Sequence, residues 1–429
     1  RVVWIELTSR CPYDCPFCSR KTLRGHGANM PLALYRRIIE ELDAPDILRL
    51  NYSGESTHHP QVVEAVALAA ATGAWVELVA VPAALARERL EALVRAGLNR
   101  LTVSLHTLDA AQFAALYGFG DLARLLANLR HAAALRARVA HPFVLDLAFV
   151  ATAATLPQLP RIAALASELA LPVLAVHPVI RRDDIAQPFG EELDATGALA
   201  PGFRAALDAA IATVRATHPA LALQVSTPEV GAVVPRALTA EPAPWPGPLP
   251  DGARLHGCDQ DPFETLHILA DGKVVTCEVR DAQVVGDLAA SSLAEVWHGP
   301  GMREFRASFL AGRDAACRRC AYKKAHRAGP LSARVTARAH TAQLLQGWHA
   351  PDRTLVWSKR DAALVLARPR GATALALRGL LPPGTRGANT LAVDVDGERA
   401  AIVANAGTEP LAFAERIPLP AATPGAAQV

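Results

Sequence analysis

The sequence predicts an α/β protein of parallel strand–helix–strand units, followed by a small cysteine-bearing module and an antiparallel β domain. Three observations carry this reading. Six short apolar runs alternate with helical patterns up to about Val176, a Pro/Gly stretch from Glu241 to Asp251 interrupts the pattern, and a late series of strand-like pieces is separated by Gly-, Pro- and Asp-Gly-rich turns.

The first apolar run, Val2 to Leu7, ends in Thr8-Ser9-Arg10 and gives way to a cysteine loop; from Pro31 the pattern turns helical through Tyr35, Ile38, Ile39 and Leu42. The unit then recurs. Ile47 to Tyr52 precedes a helix from about Gln61, Trp75 to Ala80 one from Arg87 to Ala96, and Leu101 to Leu105 one that runs to about Leu135. Phe143 to Val150 with a helix from about Leu159, and then Val173 to Val176, complete the six strands. Such units form a doubly wound sheet or a complete or partial (β/α) barrel, in which chemistry sits at the C-terminal strand ends. A helix from Gly202 to Thr217 follows, and Glu241 to Asp251 can be neither helix nor central strand because prolines remove its donors. The expected organisation is a strand–helix array over residues 1–195, a helix and Pro-rich linker over 196–255, a cysteine module over 256–330 and a small β domain over 345–429.

Composition narrows the function. The chain has 429 residues, 51% of them hydrophobic, so it can bury a core without disulfides. A net charge of +3 from 44 basic and 41 acidic residues, with no basic run interleaved with aromatics, argues against a nucleic-acid partner. No apolar stretch is long enough to span a membrane, and the opening residues read as a strand, so a cytoplasmic protein is expected. The seven cysteines fall as Cys11, Cys15 and Cys18 and then Cys258, Cys277, Cys317 and Cys320, which is cluster or metal spacing rather than a disulfide framework.

Cys11-Pro-Tyr-Asp-Cys15-Pro-Phe-Cys18 places three soft thiolates on the loop after the first strand. Three ligands on a four-iron cube leave one iron open to chelate another molecule; a zinc site completed from elsewhere, for instance by His26, is the alternative. This triplet, with aromatic Phe17 just before the last cysteine, resembles the radical S-adenosylmethionine (SAM) superfamily. The resemblance covers about residues 1 to 190 and implies a partial (β/α)6 TIM-like barrel. It also implies a [4Fe–4S] cluster whose open iron binds SAM, reductive cleavage to a 5′-deoxyadenosyl radical, and hydrogen abstraction from a substrate. Under it Cys11, Cys15 and Cys18 are the catalytic cluster ligands, and Phe17, Gly54, Glu55 and Ser104 bind the cofactor. Asn51-Tyr-Ser-Gly54-Glu55 is similar to the glycine-rich turn after the family's second strand, where Glu55 would pair with the ammonium of SAM and Gly54 would allow close backbone approach. Tyr52-Ser53 departs from the usual glycines. Leu101 to His106 resembles the fourth strand, with Ser104 the first choice and His106 the second for contact with SAM.

The later cysteines accept either zinc or a cluster on chemistry alone. Asp271-Gly272 reads as a hairpin turn feeding a strand that ends on Cys277. With Gly286-Asp287, the Ser292 to Trp297 helix and the terminal Cys317-Arg-Arg-Cys320, this segment resembles the SPASM extension in its shortened twitch form, which implies an auxiliary [4Fe–4S] cluster on Cys258, Cys277, Cys317 and Cys320.

The leading expectation is a radical SAM oxidoreductase acting on a small polar substrate. A sugar or cyclitol is favoured because the C-terminal β pieces loosely resemble domains on glycan-modifying enzymes. The expected outcome is net oxidation, because no cysteine remains as a hydrogen donor and the auxiliary cluster can accept an electron. A ribosomal-peptide maturase is the second reading, placed lower because no leader-binding domain is visible before the first strand in this sequence; a non-catalytic zinc- or cluster-binding protein is the third. An electron donor such as flavodoxin or ferredoxin is implied. Candidate substrate positions are Tyr52, His106, His177, Arg181 and Arg182, with Glu6, Glu77 and Asp146 as polar residues on apolar strands.

Overall fold

The structure is a computed structural model that describes residues 2–18, 20, 26–179, 190–194, 199–225, 254–258, 262–263, 265–278, 283–310, 313–320, 323–326, 332–340, 343–348, 355–364, 366–369, 371–384, 388–395 and 398–419. Arg181, Arg182 and the Pro-rich stretch from 241 to 251 lie outside the described residues. The chain divides into two compact units, one of Arg1–Gly231 with Gln260–Phe309 and one of Ala232–Asp259 with Leu310–Val429.

In the first unit β1 (Val2–Ile5), β2 (Ile47–Arg49), β3 (Trp75–Ala80), β4 (Arg100–Ser104), β5 (Val144–Ala151) and β6 (Val173–Pro178) lie side by side in sequence order and all parallel. Helices Leu32–Glu41, Val62–Ala71, Arg87–Arg95, Leu122–Leu135 and Leu159–Glu168 cross between successive strands. This is the expected partial-barrel array. β7 (Ala222–Val225), reached through helix Pro201–Thr217, adds a seventh parallel strand from a segment read as helix and linker.

Two local features differ from the sequence reading. β2 stops at Arg49 because the Asn51 side chain accepts from Val79 N (3.3 Å), a donor that a longer strand would use. The helical stretch after β4 is two helices, Ala110–Tyr117 and Leu122–Leu135: Gly118 ends the first at φ +65°, and Asp121 caps the second by accepting from Ala123 N at 2.8 Å.

The largest departure is on the other side of β1. β9 (Thr265–Ile268) pairs parallel with it, and β10 (Lys273–Val275) and β11 (Val284–Asp287) continue antiparallel to give a ten-stranded sheet. The expected hairpin at Asp271-Gly272 is present, with Gly272 at φ +88°. Its strands extend the barrel sheet itself.

The period-2 alternation of side chains divides this sheet into two faces. Val3, Ile5, Leu48, Val76, Leu78, Leu101, Val103, Leu145, Leu147, Leu174, Val176, Leu266 and Ile268 are all buried in one apolar core with the helices. The opposite, lumenal face is polar. Register aligns His267, Trp4, Arg49, Glu77 and Arg100 in one row across five strands, with Asp146 opposite Thr102 in the next.

In the second unit β8 (Arg254–Cys258) pairs antiparallel with β12 (Lys323–His326). Three further two-stranded antiparallel sheets follow: β13 (Leu344–Trp348) with β14 (Ser358–Leu364), β15 (Ala374–Leu381) with β18 (Leu411–Pro418), and β16 (Asn389–Val395) with β17 (Glu398–Asn405). Among the described residues no helix is long and apolar enough to cross a membrane.

Candidate functional site

The cysteine loop leaves β1 and returns along it. Met30 N donates to Leu7 O (2.8 Å), Ser9 N to Ala28 O (2.9 Å) and Thr8 Oγ1 to Asn29 Oδ1 (2.6 Å), so residues 7–9 and 28–30 close the loop at its base. Two glycines hold this base from both sides. A Cβ on Gly54 would lie 2.1 Å from Thr8 O and 2.7 Å from Arg10 O, and one on Gly27, at φ +71°, 2.7 Å from Ser9 C. The missing side chain of Gly54 thus admits the chain that leads into Cys11. Glu55 N completes the contact by donating to Arg10 O at 2.9 Å.

Beyond the base, Tyr13 anchors the loop. Its ring is buried, its hydroxyl donates to Val81 O (2.5 Å) and Asp14 N donates to Tyr117 O (2.8 Å). An aromatic chain continues to the strand ends: Phe17 stands edge-on to His106 (5.0 Å), and His106 stacks on Tyr117 (5.5 Å, 8°). Val150 N donates to His106 Nδ1 (3.1 Å), which leaves the proton on Nε2. Burial, with His177 nearby, pushes His106 down to about 3 and keeps it neutral. Ser104 is half-buried on the lumenal face opposite Ala148, and its carbonyl accepts from the Tyr117 hydroxyl (3.2 Å).

Two of the three thiols are desolvated. Burial pushes Cys11 up to about 11 and Cys15 up to about 12, with the neighbouring thiols raising both further, while Cys18 is exposed. Burial disfavours the thiolate at both positions, and a positive charge such as a metal carries would favour it. Among the described residues no three His, Cys, Asp or Glu side chains converge as a single ion requires. A four-iron cube takes its thiolates on separate corners, and three thiols on one loop are a donor set that fits it.

Glu55 is buried and already bonded. Its Oε1 accepts from Thr57 N (3.1 Å) and Thr57 Oγ1 (2.6 Å), its Oε2 from Val81 N (2.7 Å). Burial still pushes its carboxyl up to about 7. The polar strand residues are likewise engaged with one another. Glu6 accepts from Ser53 N (3.2 Å), from the Ser53 hydroxyl and from Ala270 N (2.9 Å), tying β1 to the turn after β2 and to the end of β9. Arg49 pairs with Glu77 (2.7 Å) and Arg100 with Asp146 (2.5 Å). Tyr52 meets His267 edge-on (5.9 Å), and His267 stacks on Trp4 (5.7 Å). His177 is opposite Val150 on β6, and burial pushes it down.

Of the later cysteines, Cys258 ends β8 opposite Lys323, close in sequence to Cys320. Cys317 is buried in helix Ala315–Arg319, where its N–H donates to Asp314 Oδ1 (2.9 Å), and Cys320 N donates to Cys317 O (3.2 Å). Cys277, two residues past β10, belongs to the first unit and the other three to the second.

Sequence reasoning missed Tyr13, Tyr117 and His267. Tyr13 and its neighbour Asp14 sit inside the triplet and were available as signals; Tyr117 and His267 had none, since each is brought in from a distant element.

Residues 5–147 match the radical SAM superfamily profile and residues 258–321 that of the SPASM iron–sulfur cluster-binding domain, a span that includes all four later cysteines. Among curated proteins, a PqqA peptide cyclase of Rhodopseudomonas palustris is 36% identical over 110 residues, 25% of this chain and 29% of the relative. Another from Gluconobacter oxydans is 31% identical over 166 residues, 38% of this chain and 45% of the relative. The chain thus matches less than half the length of these relatives. Among solved structures, Streptococcus suis SuiB bound to precursor peptide SuiA superposes with a TM-score of 0.55 at 15% identity, over 74% of this chain and 70% of SuiB, which is a likeness of fold. The cysteine loop at the C-terminal end of β1 and the two profile matches agree: the chain carries a radical SAM domain followed by a SPASM iron–sulfur cluster-binding domain.

Proposed function

We propose that this protein is a radical SAM enzyme that modifies a peptide. Cys11, Cys15 and Cys18 hold one [4Fe–4S] cluster, and Cys258, Cys277, Cys317 and Cys320 the auxiliary one. When bound, cluster and SAM together supply hydrogen-atom abstraction. The chain's own residues prepare the site for them. Gly27, Gly54 and Tyr13 fix the loop that carries the thiols, Phe17 is steadied by His106, and Ser104 offers a hydroxyl on the lumenal face. Glu55 shapes the turn through Thr57 and Val81, and its Oε2, with a single protein donor, keeps a lone pair for the ammonium of SAM. That cation would draw the carboxyl down from about 7 into its charged form.

The observation that carries the peptide reading is the set of relatives, which are named for cyclising PqqA peptide, together with the likeness of fold to SuiB in complex with SuiA. It displaces the sugar-type substrate expected from the C-terminal strands, for which these relatives offer no support. Net oxidation of the peptide remains the favoured outcome because two clusters occupy all seven cysteines and leave no thiol to return a hydrogen. The test is to reduce the protein anaerobically with SAM and short peptides encoded beside its gene, and follow 5′-deoxyadenosine and peptide mass. A peptide that stimulates SAM cleavage and loses a pair of hydrogens is the expected result; stimulation by a sugar instead would overturn the reading.

A further inference from the structure

A groove of about 440 Å³ is lined by the turn after β5 and by helix Pro201–Thr217. Leu156, Pro157 and Pro160 form one wall and Phe203 and Ala206 the other; among the described residues, Glu191 is the lining residue that carries a charge. The volume is that of a ligand site, which typically spans about 300–1,000 Å³. Both walls are fixed by the chain's own hydrogen bonds. Thr155 braces the turn, its hydroxyl accepting from Thr152 N (2.9 Å) and donating to Val150 O (2.7 Å). Buried Glu192 joins the walls: its Oε1 accepts from Ala153 N (2.8 Å), and its carbonyl accepts from the N–H of Ala200, the residue that precedes the helix (2.8 Å). This staple leaves the neighbouring Glu191 exposed at the groove.

The lining selects what can occupy it. Apolar walls favour apolar side chains. Pro157 and Pro160 have no N–H, so their wall offers no ladder of backbone donors to an extended strand, and an occupant engages it through side chains, as an amphipathic helix does. Glu191 calls for a cation, and those in the first turns of the flanking helices are engaged elsewhere, Arg161 with Gln158 (3.2 Å) and Arg204 with Asp208 (2.8 Å). The groove also starts at the working end of the sheet. Ala153, on its lining, is two residues past the C-terminal end of β5, and the cysteine loop leaves the same end of β1. We propose that this groove docks an amphipathic, basic segment of the substrate peptide, remote from the residue that reacts, and thereby selects which peptide reaches the barrel mouth. This role rests on the peptide reading and adds to it a recognition surface and the side-chain chemistry that the surface accepts.

The experiment follows fluorescence anisotropy of a labelled synthetic peptide of Leu, Ala and Lys patterned as an amphipathic helix, beside a counterpart with Glu in place of Lys and a scrambled version. Each is titrated with the whole protein as wild type, Ala206→Trp and Glu191→Lys. Ala206 and Glu191 are both exposed, so either change alters the groove without entering the core. The wild type should prefer the Lys peptide to the other two, with Kd about tenfold higher in Ala206→Trp. Glu191→Lys should invert the preference, taking the Glu peptide more tightly than the Lys peptide. With a peptide that the protein modifies, both variants should raise KM and leave kcat level. No binding by the wild type, the same Kd in Ala206→Trp, or a preference that Glu191→Lys does not move would overturn the proposal. So would a wild type that sediments as a dimer and that Ala206→Trp splits, which would assign the groove to a second copy. Selective binding without modification of any peptide would sink the peptide-modifying reading and leave the groove's selectivity standing, whereas a modified peptide with one KM in all three proteins would sink the groove alone.

Discussion

The first three cysteines and the last four are held in opposite ways. Cys11, Cys15 and Cys18 occupy one loop of one unit, closed at its base by hydrogen bonds between residues 7–9 and 28–30 and clasped between Gly27 and Gly54. The later four arrive on a strand end, past a hairpin strand and on a short helix, which are separate segments of the chain. A site built on one closed loop is preorganised by local bonds. A site whose ligands come from separate segments depends on the folding of each of them. The first should therefore survive damage to the second more readily than the reverse.

The largest effect expected is on iron. The anaerobic protein should bind about eight irons, and replacing Cys11, Cys15 and Cys18 together by alanine should leave about half and abolish SAM cleavage. Replacing Cys258, Cys317 and Cys320 should remove the other half while SAM cleavage to 5′-deoxyadenosine persists. If all the iron leaves in either variant, the two sites are coupled and the contrast fails.

Gly54→Ala sharpens it next. The new Cβ would meet backbone on the entry to the cysteine loop, 2.1 Å from Thr8 O, where no flexible side chain can yield. A loss of about 3 kcal/mol in stability follows. Iron counting should show the first site depleted well before the second, and equal depletion would mean that the clasp has no special claim on the loop.

The third effect is on pH dependence. The Glu55 carboxyl sits at about 7 in the folded protein against an ordinary 4.5, because burial disfavours its charged form. The folded state therefore binds more protons between those values. The contribution of this group is fully present below about pH 4.5 and lost as pH rises through about 7, a swing of about 3 kcal/mol. Denaturant unfolding of the iron-free protein should show wild-type stability falling relative to Glu55→Gln across this window. In the loaded protein Glu55→Gln should weaken SAM binding while leaving the iron count intact; unchanged affinity would remove Glu55 from the SAM site.

The smallest effect belongs to the lumenal face. His267 is fully buried between Trp4 and Tyr52, and among the described residues neither ring nitrogen has a hydrogen-bond partner. His267→Leu should therefore raise stability by about 1 kcal/mol in thermal unfolding, with both iron complements unchanged. A destabilised variant would show that the imidazole is held by a partner absent from the folded chain alone.

What the sequence determined by itself is what short-range pattern can encode. The period of apolar residues fixed six strands and their helices, three cysteines within eight positions marked the loop, and Asp271-Gly272 marked a hairpin, because each depends on neighbours a few residues apart. Only the tertiary structure decided that this hairpin extends the barrel sheet beside β1, that Glu6 bonds Ala270, and that the Glu55 carboxylate is taken by Thr57 and Val81. It likewise turned Glu77 and Asp146 from candidate substrate contacts into partners of Arg49 and Arg100. The physical reason is that a contact across hundreds of residues leaves no local period to read. Glu6 and Ala270 meet because two parallel strands pack on the same helices, and the carboxylate then takes the nearest unpaired N–H, since leaving either group bare in the core would cost more than bringing them together.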